Sequence, residues 1–196
     1  MSVKVFFDLN CPFCYLGRGY WLKMQQELPV ETEWVPWEAH PEMPLEGFPK
    51  TEAKAEADVK RYRALGGEVR HFEKNLRSSS THNALLGLEF ARAAGKEEAY
   101  IERLFAAYFA EGLDISPLDT VARLAKEVGL DGEALKKSVE SKEYEAVLTE
   151  LDREAEGMGL EVVPSFVRGG KLLLAGSTTM TFEEFREKYR AAFGPK

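Results

Sequence analysis

Two cysteines, Cys11 and Cys14, stand three positions apart near the start of a 196-residue chain that has no others. Two residues scattered at random would be spaced this way only about 1% of the time. A dithiol that exchanges electrons with another disulfide needs one exposed thiolate and a second thiol close enough to attack the mixed disulfide. A CxxC at the start of a helix supplies both. Unpaired backbone N–H groups and the positive end of the helix dipole favour a thiolate at Cys11, while Cys14 lies one turn in and is more covered. Pro12 suits the first helical position, where its missing N–H costs nothing. Cys11 therefore reads as the nucleophile and Cys14 as the resolving thiol. Pro12 and Phe13 between them bring no cation to the thiolate, so the couple is expected to be only a moderate oxidant.

Two buried thiols can be small hydrophobes at a strand end. A metal site needs further ligands, and the chain offers only His40, His71 and His82, none with finger-like spacing from the CxxC. A zinc or iron–sulfur site would then have to be shared between two chains; no metal is expected.

The elements that must position the thiols follow from hydropathy spacing. Val3 to Leu9 is a β-branched and aromatic run leading straight into Asn10-Cys11, and after Pro12 a stripe of Leu16, Tyr20, Met24 and Leu28 predicts a helix stopped by Pro29. A second strand is expected over Glu31 to Trp37, ending in a Pro-rich loop from His40 to Pro49. From Thr51 to Gly159 every apolar pattern has helical spacing. Its first helix carries one apolar face across Gly66-Gly67, a pair expected to kink or divide it. Further helices are expected over about 80–94, 97–110, 132–139 and 141–157, and one with Ser116 as N-cap and Pro117 at its first position. After Gly159 the strand signal returns as Val162–Val167 and Lys171–Ala175 around Gly169-Gly170, a hairpin, followed by a helix whose Thr181 and Glu184 have capping-box spacing. The order is β-α-β, a helical block, then β-β-α.

Composition narrows the class. With 26 basic and 33 acidic side chains the net charge is −7, which disfavours binding to nucleic acid or anionic lipid. No apolar run approaches the roughly 20 residues that cross a bilayer, and the first residues lack the pattern of a secretory signal. Two cysteines make no disulfide scaffold. The expectation is a cytoplasmic protein without a membrane segment.

The residues so far resemble the thioredoxin-fold oxidoreductases, specifically the DsbA-like branch with a helical insertion known as the FrnE-like proteins. These are related to the 2-hydroxychromene-2-carboxylate isomerases and kappa-class glutathione transferases. The resemblance runs through Phe7-Asp8-Leu9-Asn10-Cys11-Pro12-Phe13-Cys14-Tyr15-Leu16-Gly17, Trp37-Glu38, Pro41 to Gly47, Ser80-Thr81-His82-Asn83-Ala84, Ala107 to Ile115 and Val162-Val163-Pro164-Ser165-Phe166. It implies an α/β thioredoxin domain of residues 1–50 and 160–196, interrupted by a helical insertion over 51–159. It also implies that Val163-Pro164 is a cis peptide facing the CxxC, leaving the Val163 backbone to pair with an extended substrate. His82 is implied to face the active-site cleft, where it would contact substrate or assist a proton transfer.

The function expected is thiol–disulfide exchange with protein or small-molecule substrates, with no bound cofactor and with glutathione or another small thiol as a potential reductant. The alternative is a glutathione-dependent isomerase or transferase. Those relatives typically carry Ser at the place of Cys11, from which this chain departs. A noncatalytic docking module is the third reading. Trp34, Trp37, Phe105, Tyr108 and Phe109 read as core, Arg70, Lys74 and Arg77 as a solvated helix face, and His40 and His71 as solvated.

Overall fold

The structure is a computed structural model of the chain, and it describes residues 2–64, 77–176 and 180–194. Its centre is a four-stranded sheet ordered β2-β1-β5-β6, from β1 (Val3–Phe7), β2 (Thr32–Pro36), β5 (Ser165–Arg168) and β6 (Lys171–Ala175). β1 runs parallel to β2, with Val5 opposite Trp34, and antiparallel to β5, with Val5 opposite Phe166. The parallel pair needs a crossover, and α1 (Pro12–Glu27) provides it. β5 and β6 form the hairpin around Gly169 and Gly170, both at positive φ, where a residue without Cβ is unstrained. This is the α/β thioredoxin fold with a helical insertion that the residues led one to expect.

Each face of the sheet is covered. On one, α1 meets α8 (Phe182–Phe193) through a nest of rings. Trp21, 1% exposed, stacks on Phe166 at 5.0 Å and meets Tyr189 edge-on at 4.9 Å. Burying one such side chain is worth about 2–3 kcal/mol. The anticipated capping box holds the start of α8: Thr181 accepts from the Glu184 N–H, and Glu184 accepts from the Thr181 N–H at 2.7 Å. On the other face, α7 (Glu145–Gly157) lies against β2, where Ala155 and Leu160 pack on Phe6, Val35 and Val167.

Between β2 and β5 the chain forms β3 (Phe48–Pro49), α2 (Glu52–Ala64), β4 (Arg77–Ser78), α3 (His82–Ala93), α4 (Glu97–Phe105), α5 (Leu118–Glu127), α6 (Gly132–Glu140) and α7. The helical core continues into that of the sheet: Phe105 of α4 meets Phe7 of β1, and Arg18, buried in α1, reaches Glu98 and Glu102 of α4 while lying over Trp34. Gly47, at φ +67, backs onto the Ser78 carbonyl so closely that a Cβ would stand 2.3 Å from its oxygen. That contact seats the Pro-rich loop beside the short β3–β4 ladder, Phe48 opposite Ser78.

Three local expectations change. Pro117 itself occupies the N-cap of α5 in extended conformation, and the Ser116 hydroxyl is taken by the Ser80 N–H at 2.9 Å. The long helix from 97 widens into a π-helical turn at Ala106–Ala110. β5 begins at Ser165 rather than Val162, directly after the Val163–Pro164 peptide, which is cis. The stretch across Gly66-Gly67, with His71, Arg70 and Lys74, lies outside the described residues, as does the side chain of Arg77.

Candidate active site

Cys11 caps α1. Its backbone is extended, and its sulfur accepts the Cys14 N–H at 3.4 Å, one of the donors a helix start leaves unpaired. Pro12 follows at the first helical position. The cap geometry explains the asymmetry of the pair: Cys11 is partly exposed, while Cys14, one turn in, is fully buried among core side chains. Both thiols are free. Burial pushes the Cys14 thiol well above its ordinary range, and the neighbouring Cys11 sulfur and the Asp8 charge push it the same way. Cys14 holds its proton and needs help to lose it.

The help stands at the end of β1. Asp8 is wholly buried, and desolvation lifts its carboxyl to about 6 against the pull of hydrogen bonds from Thr81, Ala39 and Leu9. The Leu9 and Ala39 N–H groups donate to its two oxygens at 2.7 and 3.0 Å. A carboxyl poised near 6 beside a thiol that resists ionisation can take up a proton near neutrality.

Opposite Cys11 lies the segment from the start of β5. The Cys11 thiol donates to the Val163 carbonyl oxygen at 3.6 Å, across the cis Val163–Pro164 peptide. Pro164 is hemmed in by Gly17 of α1 and Gly176 beyond β6; a Cβ on Gly176 would come within 2.4 Å of the proline ring. The Asn10 amide donates to the Ser79 carbonyl at 3.1 Å, and the Ser79 hydroxyl binds Asp114 at 2.7 Å, so the cysteine loop is pinned to the helical insertion. Tyr15, next to Cys14, stacks at 5.0 Å on Phe109, which lies in the π-helical turn.

Two hollows flank the thiols. A shallow apolar recess is lined by Phe13, Leu16, Tyr20, Pro164, Phe166 and Met180. On the insertion side a larger cleft of about 380 Å³ runs past Pro12 and Phe13 to Phe48, Lys50, Lys54 and Tyr108, with His40 and Glu42 also on its wall. Lys50 lies over the Tyr108 ring at 5.9 Å. A cleft of this size holds a small molecule or a few residues of an extended chain.

Of the residues singled out from the sequence, Cys11, Cys14, Pro12, Phe13, Val163 and Pro164 are gathered at one place. His82 lines neither hollow; its ring is held between Glu38 at 2.9 Å and Glu145 at 3.4 Å. Trp34, Phe105, Tyr108 and Phe109 are core residues, as expected. Asp8, Glu38, Lys50 and Lys54 were not read from the sequence as site residues. Asp8 had a signal: a charge closing an apolar strand three residues before Cys11. Among the described residues no cluster of His, Cys, Asp and Glu is arranged to hold a metal ion, and no helix is long and apolar enough to cross a membrane.

Comparison with known proteins agrees with this geometry. A probable DsbA oxidoreductase from Streptomyces coelicolor superposes over 100% of this chain and 91% of its own with a TM-score of 0.81, at 22% identity. The cytosolic disulfide reductase DsbM from Pseudomonas aeruginosa, solved with GSH, does so over 97% and 98% with a TM-score of 0.72, at 17% identity. A 2-hydroxychromene-2-carboxylate isomerase covers 97% and 94% with a TM-score of 0.72, at 16% identity. At these identities the likeness is one of fold. The family description "DSBA-like thioredoxin domain" matches residues 2–189. With Cys11 capping the helix, Cys14 beneath it and Val163–Pro164 across from it, the chain belongs to the DSBA-like thioredoxin domain family.

Proposed function

We infer that the protein is a thiol–disulfide oxidoreductase working through Cys11 and Cys14. The observation that carries this reading is the division of labour at the head of α1: a partly exposed sulfur on the helix cap, and a fully buried thiol one turn in whose ionisation the Asp8 charge opposes; Asp8 is the carboxylate we assign as acceptor of its proton. The Cys11 thiolate attacks a substrate disulfide, forming a mixed disulfide and releasing one substrate thiolate. Cys14 then yields its proton to Asp8 and its sulfur attacks Cys11, releasing the second substrate thiolate and leaving a Cys11–Cys14 disulfide. Two electrons pass from the dithiol to the substrate; the reverse sequence oxidises a substrate dithiol. Val163, whose carbonyl faces Cys11, offers its backbone to an extended substrate, and Pro12, Phe13 and Pro164 form the walls.

The test is insulin reduction by wild type, Cys11→Ser and Cys14→Ser. The reading expects turnover in wild type only, and it fails if Cys11→Ser retains the activity.

A second reading is favoured by one observation, the pair Lys50 and Lys54 in the cleft beside Cys11 of a chain with net charge −7, where the one carboxylate on the same wall, Glu42, faces His40 at 3.2 Å. Such a cleft suits an anionic low-mass thiol, glutathione being an example, as reductant or as cofactor of an isomerase or transferase. The fold it shares with DsbM, a cytosolic reductase solved with GSH, supports the same substrate class and a cytoplasmic setting. An isomerase or transferase would keep its activity in Cys14→Ser; an exchange enzyme would not.

A further inference from the structure

The donors that hold the Asp8 carboxylate come from three places: the Leu9 N–H, the Ala39 N–H and the Thr81 side chain. Ala39 follows Glu38, and Thr81 precedes His82. Glu38 and His82 are bonded to each other, His82 Nδ1 to Glu38 Oε2 at 2.9 Å. The two segments that reach Asp8 from outside its own strand are thus tied together one residue away from the groups that reach it. The tie is anchored on α7, where Asp152 accepts from the Glu38 N–H at 3.0 Å and Glu145 stands 3.4 Å from His82 Nε2. It is also sheltered, with the Glu38 side chain 9% and that of His82 23% exposed.

We propose that the Glu38–His82 pair is a positioning element for the dithiol: by joining the segments that carry Ala39 and Thr81, it keeps their donors on Asp8, the group that receives the Cys14 proton. The proposal rests on the thiol–disulfide exchange inferred above. When Cys14 attacks, its proton passes to the Asp8 carboxylate, its sulfur bonds to the Cys11 sulfur, and the electron pair of the broken mixed disulfide leaves with the substrate thiolate.

The charges that meet here are Asp8 at the end of β1, Glu38 beyond β2, His82 at the start of α3, Glu145 and Asp152 on α7 with Glu156 near Asp152, and Cys14 on α1. His82 is the basic member of the set. The Glu38 hydrogen bond holds its imidazole above the ordinary histidine range against the opposing cost of burial, and the Glu145 charge adds to this. Glu38 in turn pushes the Asp8 carboxyl up. Removing the imidazole leaves the Glu38 charge unbalanced beside Asp8 and slackens two of its donors, and both changes hold a proton on Asp8 more tightly.

The experiment follows the Asp8 carboxyl by carbon-13 NMR across the pH range, with Asp8→Asn assigning the signal, and the pH profile of mixed-disulfide resolution alongside it. In His82→Gln the Asp8 midpoint is expected to rise by about one pH unit, the scale of one weakened hydrogen bond to a carboxylate, and the resolution profile to rise with it. His82→Lys, which restores a cation and a donor to Glu38, brings both back toward wild type. A midpoint unmoved in His82→Gln, or a profile that does not follow it, overturns the proposal. Should His82→Gln not fold, Glu38→Asp keeps the charge and shortens the arm; it must raise the midpoint too, and failure to do so overturns the tie. A wild-type protein inert toward insulin defeats the proposed function, whereas an unmoved Asp8 in an active protein defeats the tie alone.

Discussion

Cys11 and Val163 lie 152 positions apart in the chain, yet the Cys11 thiol donates to the Val163 carbonyl oxygen at 3.6 Å. One comes from the first strand–helix junction and the other from the start of the closing hairpin, so the pair forms only when β1 and β5 are in register, Phe6 opposite Ser165. A substrate that bonds to Cys11 is therefore expected to lie against the Val163 backbone. In Cys14→Ser, resolution is lost while attack survives, and a stable mixed disulfide should accumulate with a small disulfide such as oxidised glutathione. Mass spectrometry after mixing checks this; absence of the adduct removes Cys11 as the attacking group.

The carboxyl of Asp8 and the imidazole of His82 both bind a proton more tightly in the folded chain than in the unfolded one, Asp8 at about 6 against 3.8. A raised folded value gives stability that is complete below the unfolded value and lost as pH rises through the folded one. Stability should therefore fall from pH 4 to about 6 as Asp8 ionises, with Asp152, also near 6, adding a smaller part because it is only half-buried. It should fall further above 6.5 as His82 discharges. Urea unfolding across this range checks the slope. Asp8→Asn should flatten its lower part, and an unchanged slope in that variant contradicts the assignment.

Gly176 packs on the active-site proline. A Cβ there would stand 2.4 Å from Pro164 Cδ and 2.8 Å from Pro164 N, and its own N–H bonds to the Pro164 carbonyl at 2.5 Å. Gly176→Ala must displace Pro164, and a loss of about 1–3 kcal/mol in unfolding free energy is expected, together with slower insulin reduction. Gly19, exposed in α1 with nothing near its added Cβ, is the control. Gly19→Ala should gain about 0.5–1 kcal/mol and leave the rate unchanged.

Lys50 and Lys54 face the larger cleft. If that cleft takes anionic thiols, Lys50→Ala with Lys54→Ala should weaken reduction of oxidised glutathione several-fold through KM, with the effect shrinking at high salt. Reduction of insulin, a polypeptide substrate, should change less. Equal losses on both substrates would mean the lysines act on the fold rather than on the ligand.

The strand–CxxC–helix junction, the hairpin and the capping box were legible because each rests on neighbours in sequence: Pro12 after Cys11, Gly169-Gly170 between two strands, Glu184 three residues after Thr181. What was not legible depends on distant partners. Ser116 has the type of an N-cap, but the Ser80 N–H claims its hydroxyl, and Pro117 caps α5 instead. The π-helical turn at Ala106–Ala110 has no spacing signature that separates it from the α4 pattern. Asp8 shows as a charge at a strand end, but its burial and its link through Ala39 and Thr81 to Glu38 and His82 exist only once β2 and α3 are packed beside it. The resemblance implied that His82 faces the cleft; its partners Glu38 and Glu145 lie on segments that only the folded chain brings to it.

The central claim is that sulfur 11 and sulfur 14 form a reversible redox couple. Equilibrating the protein in glutathione buffers of graded ratio, quenching with acid and alkylating the free thiols measures it directly. The account predicts a single two-electron transition in which both thiols disappear together in wild type, and no intramolecular bond in either Cys11→Ser or Cys14→Ser. Two thiols that stay fully alkylatable after unfolding at every ratio, including the most oxidising, would contradict it.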